Sequence, residues 1–191
     1  AFAMKSQMWL LDPRPNLPTI VKMVEKGFEL SEASSSPVIM ELRIRACHLQ
    51  GSFVARDNRA PAISTRRFLA GAAEFNYERL SHPPATFRQE KLKADVRLPA
   101  ARKFVHENRL NEVFEGSESG VGIICPGGLY NNLLRALQML GLADNFGHAR
   151  LPILVLNVVY PLIPEEITAF CVGKRAVLLL EEGMPEFIEQ D

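Results

Sequence analysis

The sequence predicts a mixed α/β fold whose last third is a small, doubly wound module with a mainly parallel sheet. Three apolar runs in that third, 121–125, 153–159 and 176–180, have the length of strands and little polar alternation. Strands of this kind are buried on both faces, as in parallel sheets that are covered by helices. Helical patterns separate the runs, so the module consists of successive strand–helix units.

The helices of this module carry recognisable start and end signals. A Pro-Gly-Gly turn leads into a predicted helix over 130–140, in which leucines recur at spacings of three and four and which Gly141 caps. A second helix is predicted over 165–172. Its first turn holds two glutamates, whose negative charges interact favourably with the helix dipole, and Gly173 follows it.

The first fifty residues predict the remnant of a second α/β domain, with a strand over 7–11, a helix over 18–33 and a strand over 38–44. Two prolines mark the turn between the first strand and the helix. The helix is expected to bury one apolar face, formed at helical spacing by Ile20, Val21, Val24 and Phe28. The second strand is predicted from its alternating pattern.

A long connector separates these two parts and holds most of the positive charge. The whole chain of 191 residues has 22 basic and 22 acidic side chains, yet the stretch 43–109 alone has 14 basic and 6 acidic ones, a local charge of +8. Within it a short helix is predicted around 64–80 and a better one over 99–115. The acidic flanks and the lack of a nucleic-acid-binding motif favour two alternatives over nucleic-acid binding: a solvated arm, or docking on an acidic domain or subunit.

Composition and cysteine usage exclude several classes of protein. Hydrophobic residues make up 47% and charged residues 23% of the chain, so wholesale disorder and a coiled coil are excluded. No apolar run is long enough for a membrane span, and the N-terminus has no secretory signal pattern. The scattered Cys47, Cys125 and Cys171 are typical of reduced thiols in a cytoplasmic protein.

Two places in the sequence are candidates for ligand contact. Arg45 and His48 follow the predicted strand 38–44, and ligands of parallel α/β sheets bind at the carboxyl ends of strands. Arg45 offers a fork for carboxylate or phosphate, and His48 brings an imidazole, the side-chain type that most often transfers protons near neutral pH. The alternative is that both residues cap strand ends or form salt bridges between subunits.

The second place is the turn of Gly127 and Gly128, which lies between a strand and a helix N-terminus. Backbone N–H groups in this position can hold an anion, although a simple tight turn is the more common interpretation. Cys125 ends the apolar strand just before it, so a buried structural thiol is favoured over a nucleophile. No metal-ligating spacing and no diagnostic catalytic pair occurs, so we predict neither a metal site nor catalytic residues.

Four spaced segments of the last module occur in the order found in one protein family. The chain resembles the alpha subunits of indolepyruvate:ferredoxin oxidoreductases, through the segments GIICPGGLY at 122–130, ALQMLGL at 136–142, YPLIP at 160–164 and VLLLEEGMPEFIE at 177–189. The stretch 18–48 is similar to the end of the family's thiamine-pyrimidine-binding domain, and 98–102 to its connector. The resemblance implies domains at 1–50 (pyrimidine-binding), 51–119 (connector) and 120–191 (transketolase C-terminal-like).

The resemblance implies the oxidative decarboxylation of an indolepyruvate-like 2-oxoacid to an acyl-CoA, with thiamine diphosphate, Mg²⁺ and iron–sulfur clusters as cofactors of the parent enzyme. Coenzyme A, ferredoxin and further subunits of an oligomer are the implied partners. In the family the activating glutamate lies upstream of this segment, and the diphosphate-binding domain and cysteine-rich tail lie downstream. We therefore expect a central fragment that is structural, inactive alone and without bound cofactor, although Arg45, His48, Gly127 and Gly128 are placed to contact one.

Two alternative functions are also compatible with the sequence. The module also resembles the end of a transketolase or of a pyruvate dehydrogenase beta-type subunit, which uses no ferredoxin. A non-enzymatic α/β interaction module with a basic arm is the other alternative.

The sequence departs from the pattern of the family at two places. Cys47 stands where the family has a serine, and Cys125-Pro126 stands where it has Thr-Ser.

Overall fold

The structure is a computed structural model that describes residues 2–58, 75–183 and 186–191, except for the side chain of Arg45. The elements of the first half are α1 (Phe2–Ser6), β1 (Trp9–Leu11), α2 (Leu17–Ser34), β2 (Val38–Met40), α3 (Ile44–Cys47), α4 (Ala85–Leu92) and α5 (Leu98–Glu107). Those that follow are β3 (Glu112–Phe114), β4 (Val121–Pro126), α6 (Tyr130–Met139), β5 (Ile153–Leu156), β6 (Val158–Tyr160), α7 (Pro164–Cys171), β7 (Ala176–Leu179) and α8 (Phe187–Gln190).

The predicted α/β class, with a doubly wound and mainly parallel module, is confirmed by the second of two sheets. Its strand order is β3-β5-β4-β7, in which β4 runs parallel to both β5 and β7 and only β3 is antiparallel. Successive side chains of a strand point to opposite faces. Ile123 and Ile153 therefore pack under α6, whereas Ile124 and Leu154 pack under α7 with Phe170.

The first sheet combines two strands of the first fifty residues with one strand from the last third of the chain. Its order is β2-β1-β6, with β1 parallel to β2 and antiparallel to β6. The predicted strand 153–159 is in fact two strands, because β5 lies in the second sheet and β6 in the first. Asn157, the residue between them, is 1% exposed and is the point where the chain passes from one sheet to the other.

The prediction of the buried face of α2 was wrong. Val24 and Phe28 are exposed, by 42% and 74%, and the buried residues of the helix are Met23, Leu30 and Ser34. This face was not recognised because it contains a serine and a glycine. The hydroxyl of Ser34 accepts a hydrogen bond from the indole of Trp9 (2.7 Å), and Gly27, which lies between Met23 and Leu30, allows Leu11 to approach the helix.

Two predicted element bounds were also wrong. The helix predicted over 99–115 ends at Glu107, because Arg109 adopts a left-handed conformation (φ 49°), and 112–114 then form β3. The strand predicted over 38–44 ends at Met40. Most of the helix predicted around 64–80 lies outside the described residues. Among the helices that the structure describes, none combines the length and apolarity needed to cross a bilayer.

Candidate functional site

The carboxyl ends of parallel strands from both sheets meet at one place, which we call the strand-end junction. It consists of the segments that follow β1, β2, β4 and β7, and its central residues are Asp12, Arg14, Arg43, Gly128 and Glu182. Open α/β sheets bind ligands at this edge. The junction is therefore the natural candidate for a functional site, and its interactions decide what it can bind.

Arg14 fastens the turn after β1 to the second sheet. Its Nε and Nη2 atoms donate to the two carboxylate oxygens of Glu112 over 2.9 and 3.0 Å, which is a bidentate ion pair. The guanidinium also lies 5.2 Å from the ring centroids of both Phe114 and Tyr130. Because an arginine can pair and stack at once, this single side chain joins two sheets and a helix.

Asn157 connects this ion pair to the backbone of the turn after β1 and to the backbone at Leu110. Its side-chain oxygen accepts from the backbone N–H of Arg14 (2.8 Å), and its side-chain nitrogen donates to Glu112 (3.0 Å) and to the carbonyl of Leu110 (2.9 Å). Its carbonyl oxygen accepts from the N–H of Asp12 over 2.9 Å. A buried amide with all these partners fixes the relative position of the segments that it joins.

The protonation of the pair follows from these contacts. Burial acts to raise the pKa of Glu112, but the hydrogen bonds from Arg14 and Asn157 and the charge of Arg14 outweigh it, so the pKa is lowered. The hydrogen bond to Glu112 raises the pKa of Arg14 against the opposing effect of burial. Both groups are therefore held in their charged forms.

Arg43 forms two further ion pairs at the junction. Its Nη2 atom lies 3.0 Å from Asp12, which is 2% exposed, and its Nη1 atom pairs with Glu182 in the segment after β7. The alternating pattern that predicts the strand 38–44 does not reveal this contact. The only signal was a buried-strand pattern interrupted by a charge, which does not identify a partner 139 residues away.

The structure places Arg45 and His48 beyond the junction. Because β2 ends at Met40, Arg43 occupies the strand-end position that was predicted for them, and Arg45 lies in the short helix α3. His48 follows this helix and is exposed. Nothing in the structure tests whether either residue contacts a ligand, so their role stays a prediction.

The structure brings Gly127 and Gly128 into the junction, where they contact protein. A Cβ atom on Gly127 would lie 2.6 Å from the backbone N of Arg14, and one on Gly128 would overlap Asp12 and Arg43. Both glycines thus permit the close approach of the turn after β1. An anion reaches this turn only if that segment moves away, so ligand contact at the two glycines also stays a prediction.

The interpretation of Cys125 as a buried thiol is confirmed. Its side chain is 0% exposed, and burial, with the nearby charge of Asp12, raises its pKa to about 12. A thiol in this state is a poor nucleophile at neutral pH. In the part of the chain that the structure describes, no three His, Cys, Asp or Glu side chains are grouped so as to hold a metal ion.

The relatives of this chain are oxidoreductase subunits. It is 32% identical over 174 residues to indolepyruvate oxidoreductase subunit IorA of Methanothermobacter marburgensis, with 91% of this chain and 26% of the relative covered. The subunit IorA of Methanothermobacter thermautotrophicus is 31% identical over 87% of this chain, and that of Pyrococcus abyssi 28% identical over 88%. The resemblance to indolepyruvate:ferredoxin oxidoreductase alpha subunits is thereby confirmed.

Two further findings complete the comparison. A solved structure of 2-oxoglutarate:ferredoxin oxidoreductase from Magnetococcus marinus, with 2-oxoglutarate, coenzyme A and succinyl-CoA bound, matches 58% of this chain and 18% of its own, with 17% identity and a TM-score of 0.40. No family model matches the chain. The chain spans about a quarter of the length of the curated relatives that it matches.

Substitution of Gly127 tests the close packing of the junction. We expect Gly127→Ala to lower the free energy of unfolding by about 1–3 kcal/mol, because the new methyl group overlaps backbone atoms of the opposite turn. Gly120→Ala is the matched control, since a Cβ there meets nothing within 4 Å. Urea denaturation measures both, and equal stability of the two variants would contradict this packing.

The lowered pKa of Glu112 predicts a pH dependence of stability. The charged pair contributes fully above the unfolded-state pKa of a glutamate, about 4.3, and its contribution is lost as the pH falls through the lower folded-state pKa. Glu112→Gln should therefore reduce the loss of stability over this acidic range, as measured by urea denaturation at several pH values. Glu118→Gln removes an exposed pair with Arg150 and should leave the profile unchanged. A wild-type profile in the Glu112 variant would refute the assignment.

Proposed function

We propose that the chain is the central part of the alpha subunit of a thiamine diphosphate-dependent 2-oxoacid:ferredoxin oxidoreductase that acts in the cytoplasm. The observation that carries this proposal is the 32% identity to an indolepyruvate oxidoreductase subunit over 91% of the chain. The reaction is the oxidative decarboxylation of an indolepyruvate-like 2-oxoacid. Coenzyme A takes the acyl group, and the electrons pass through iron–sulfur clusters to ferredoxin.

The cofactors of this reaction belong to other parts of the parent enzyme. Thiamine diphosphate supplies the electron sink for decarboxylation when it is bound. It does not fit beside the described residues of the Gly127–Gly128 turn in this arrangement, because Asp12 and the turn after β1 already fill that space. The buried carboxylate of Asp12 would moreover repel a diphosphate. The three dispersed cysteines are too few for a four-cysteine iron–sulfur cluster.

The contribution of this chain to the parent enzyme is structural and concerns assembly. The ion pair between Arg43 and Glu182 and the hydrogen bond from the backbone N–H of Arg14 to Asn157 hold the proposed pyrimidine-binding remnant, 1–50, against the transketolase C-terminal-like module, 120–191. The ion pair between Arg14 and Glu112 joins the same remnant to the end of the connector, 51–119. The module also gives β6 to the sheet of the remnant. A segment held in this way keeps two larger domains in a fixed relative position, and it is inactive by itself.

Arg45 and His48 are the residues of this chain that we place closest to the cofactor or substrate of the assembled enzyme. They follow the strand-end junction on the segment after β2, and His48 is exposed. In the assembled enzyme they orient a bound anion or brace a subunit interface. Both roles require that the imidazole of His48 is exposed in this chain.

Catalysis by the full-length subunit tests the proposal. When the subunit that contains this chain is assembled with its partner subunit, we expect reduction of ferredoxin, or of a substitute dye, that depends on an aryl 2-oxoacid and coenzyme A. The 191-residue chain alone should show no such activity and no heat of thiamine diphosphate binding in titration calorimetry.

The controls separate the two parts of the proposal. Absence of coenzyme A should abolish product formation in the full-length enzyme, and the same enzyme without ferredoxin or dye should not turn over. Micromolar binding of thiamine diphosphate to the 191-residue chain would contradict its structural role. Turnover of the 2-oxoacid without any electron acceptor would contradict the assignment to this reaction class.

A further inference from the structure

A helical arm of this chain exposes several large apolar side chains. We call residues 85–97 the basic arm; it comprises α4 and the turn of π-helix that follows. Phe87, Leu92 and Val96 are 72%, 40% and 54% exposed, and Ala85 is the one buried residue of the arm. Exposed large apolar side chains this close together mark an interaction surface.

The charge of the arm defines the chemistry of its partner. It carries four basic and two acidic side chains, within the stretch 43–109 whose net charge is +8. Arg88 pairs with Glu78 at 3.4 Å, but both side chains are mostly exposed, so this pair stabilises the arm little. The arm therefore fits an apolar surface with acidic edges.

The second α/β module presents such a surface. We call it the acidic groove: a cavity of about 330 Å³ between α7 and the C-terminal segment, lined by the apolar side chains of Leu162, Ile167 and Ile188 and by the carboxylates of Glu189 and Asp191. Neither carboxylate forms a salt bridge with any residue that the structure describes. Residues 110–191 as a whole carry 11 acidic and 4 basic side chains.

The arm does not reach the groove of its own chain. Residues 85–107 form one uninterrupted helix, whose second half, α5, is anchored by the buried Ala101 and Val105. Arg102 of this half lines the groove and donates to the carbonyl of Leu162 over 3.1 Å. Phe87 lies 15 residues earlier, about 20 Å along the helix axis, so the arm points away from the groove.

We propose that the basic arm of one copy of this chain docks into the acidic groove of a second copy, so that two copies form a symmetric dimer by exchanging arms. The two contacts are identical, as twofold symmetry requires. Opposite charges steer the encounter, and the apolar side chains of the arm are buried against the groove. This inference does not depend on the reaction of the parent enzyme.

Sedimentation of the 191-residue chain tests the exchange of arms. We expect a dimer whose dissociation constant rises with salt concentration, because the charges are near the surface. The arm variant Arg88→Glu/Lys91→Glu and the groove variant Glu189→Lys/Asp191→Lys should each weaken the dimer about ten-fold or more. An equimolar mixture of the two variants should restore association, because each reversed surface then meets its complement.

Two further variants complete the test. Lys103→Glu reverses an exposed charge of the same helix outside the arm and should leave the dimer unchanged. Phe87→Ser removes the apolar contact without any charge reversal and should weaken it. A monomer at every concentration, a dimer that none of these arm and groove variants weakens, or a mixture that does not reassociate would each overturn the proposal.

Discussion

The ion pair between Arg14 and Glu112 is the interaction on which the rest of the structure depends. It joins the turn after the first strand to the edge strand of the other sheet, and its guanidinium also contacts two aromatic rings. Its partner Asn157 sits where the chain passes from one sheet to the other. A charge pair that is partly buried, bidentate and hydrogen-bonded on a third side fixes geometry as well as stability.

From this constraint the position of the candidate site follows. Once the turn after β1 lies against the second sheet, the strand ends of both sheets meet, and Gly127 and Gly128 must be glycines to allow the contact. Arg43 then bridges Asp12 and Glu182 across the same junction. In this chain the turn after β1 fills the sheet edge at which α/β proteins bind ligands. This packing supports a role in assembly.

The sequence was sufficient for the parts of the fold that depend on local pattern. The apolar runs at 121–125 and 176–180 predicted β4 and β7, and the family resemblance followed from spaced motifs of the same module. The sequence could not predict the pairing of Arg14 with Glu112, because the partners are 98 residues apart and no periodicity links them. The face of α2 was missed for a related reason, because Gly27 and Ser34 serve the core through close approach and a hydrogen bond.

A double-mutant cycle on Arg14 and Glu112 tests the central claim most directly. Arg14→Met, Glu112→Gln and the double variant are compared with the parent chain by urea denaturation near neutral pH, where both groups are charged. The account predicts a favourable coupling energy of about 1–3 kcal/mol, since each partner loses its role when the other is removed. Additive effects, with a coupling energy near zero, would contradict it.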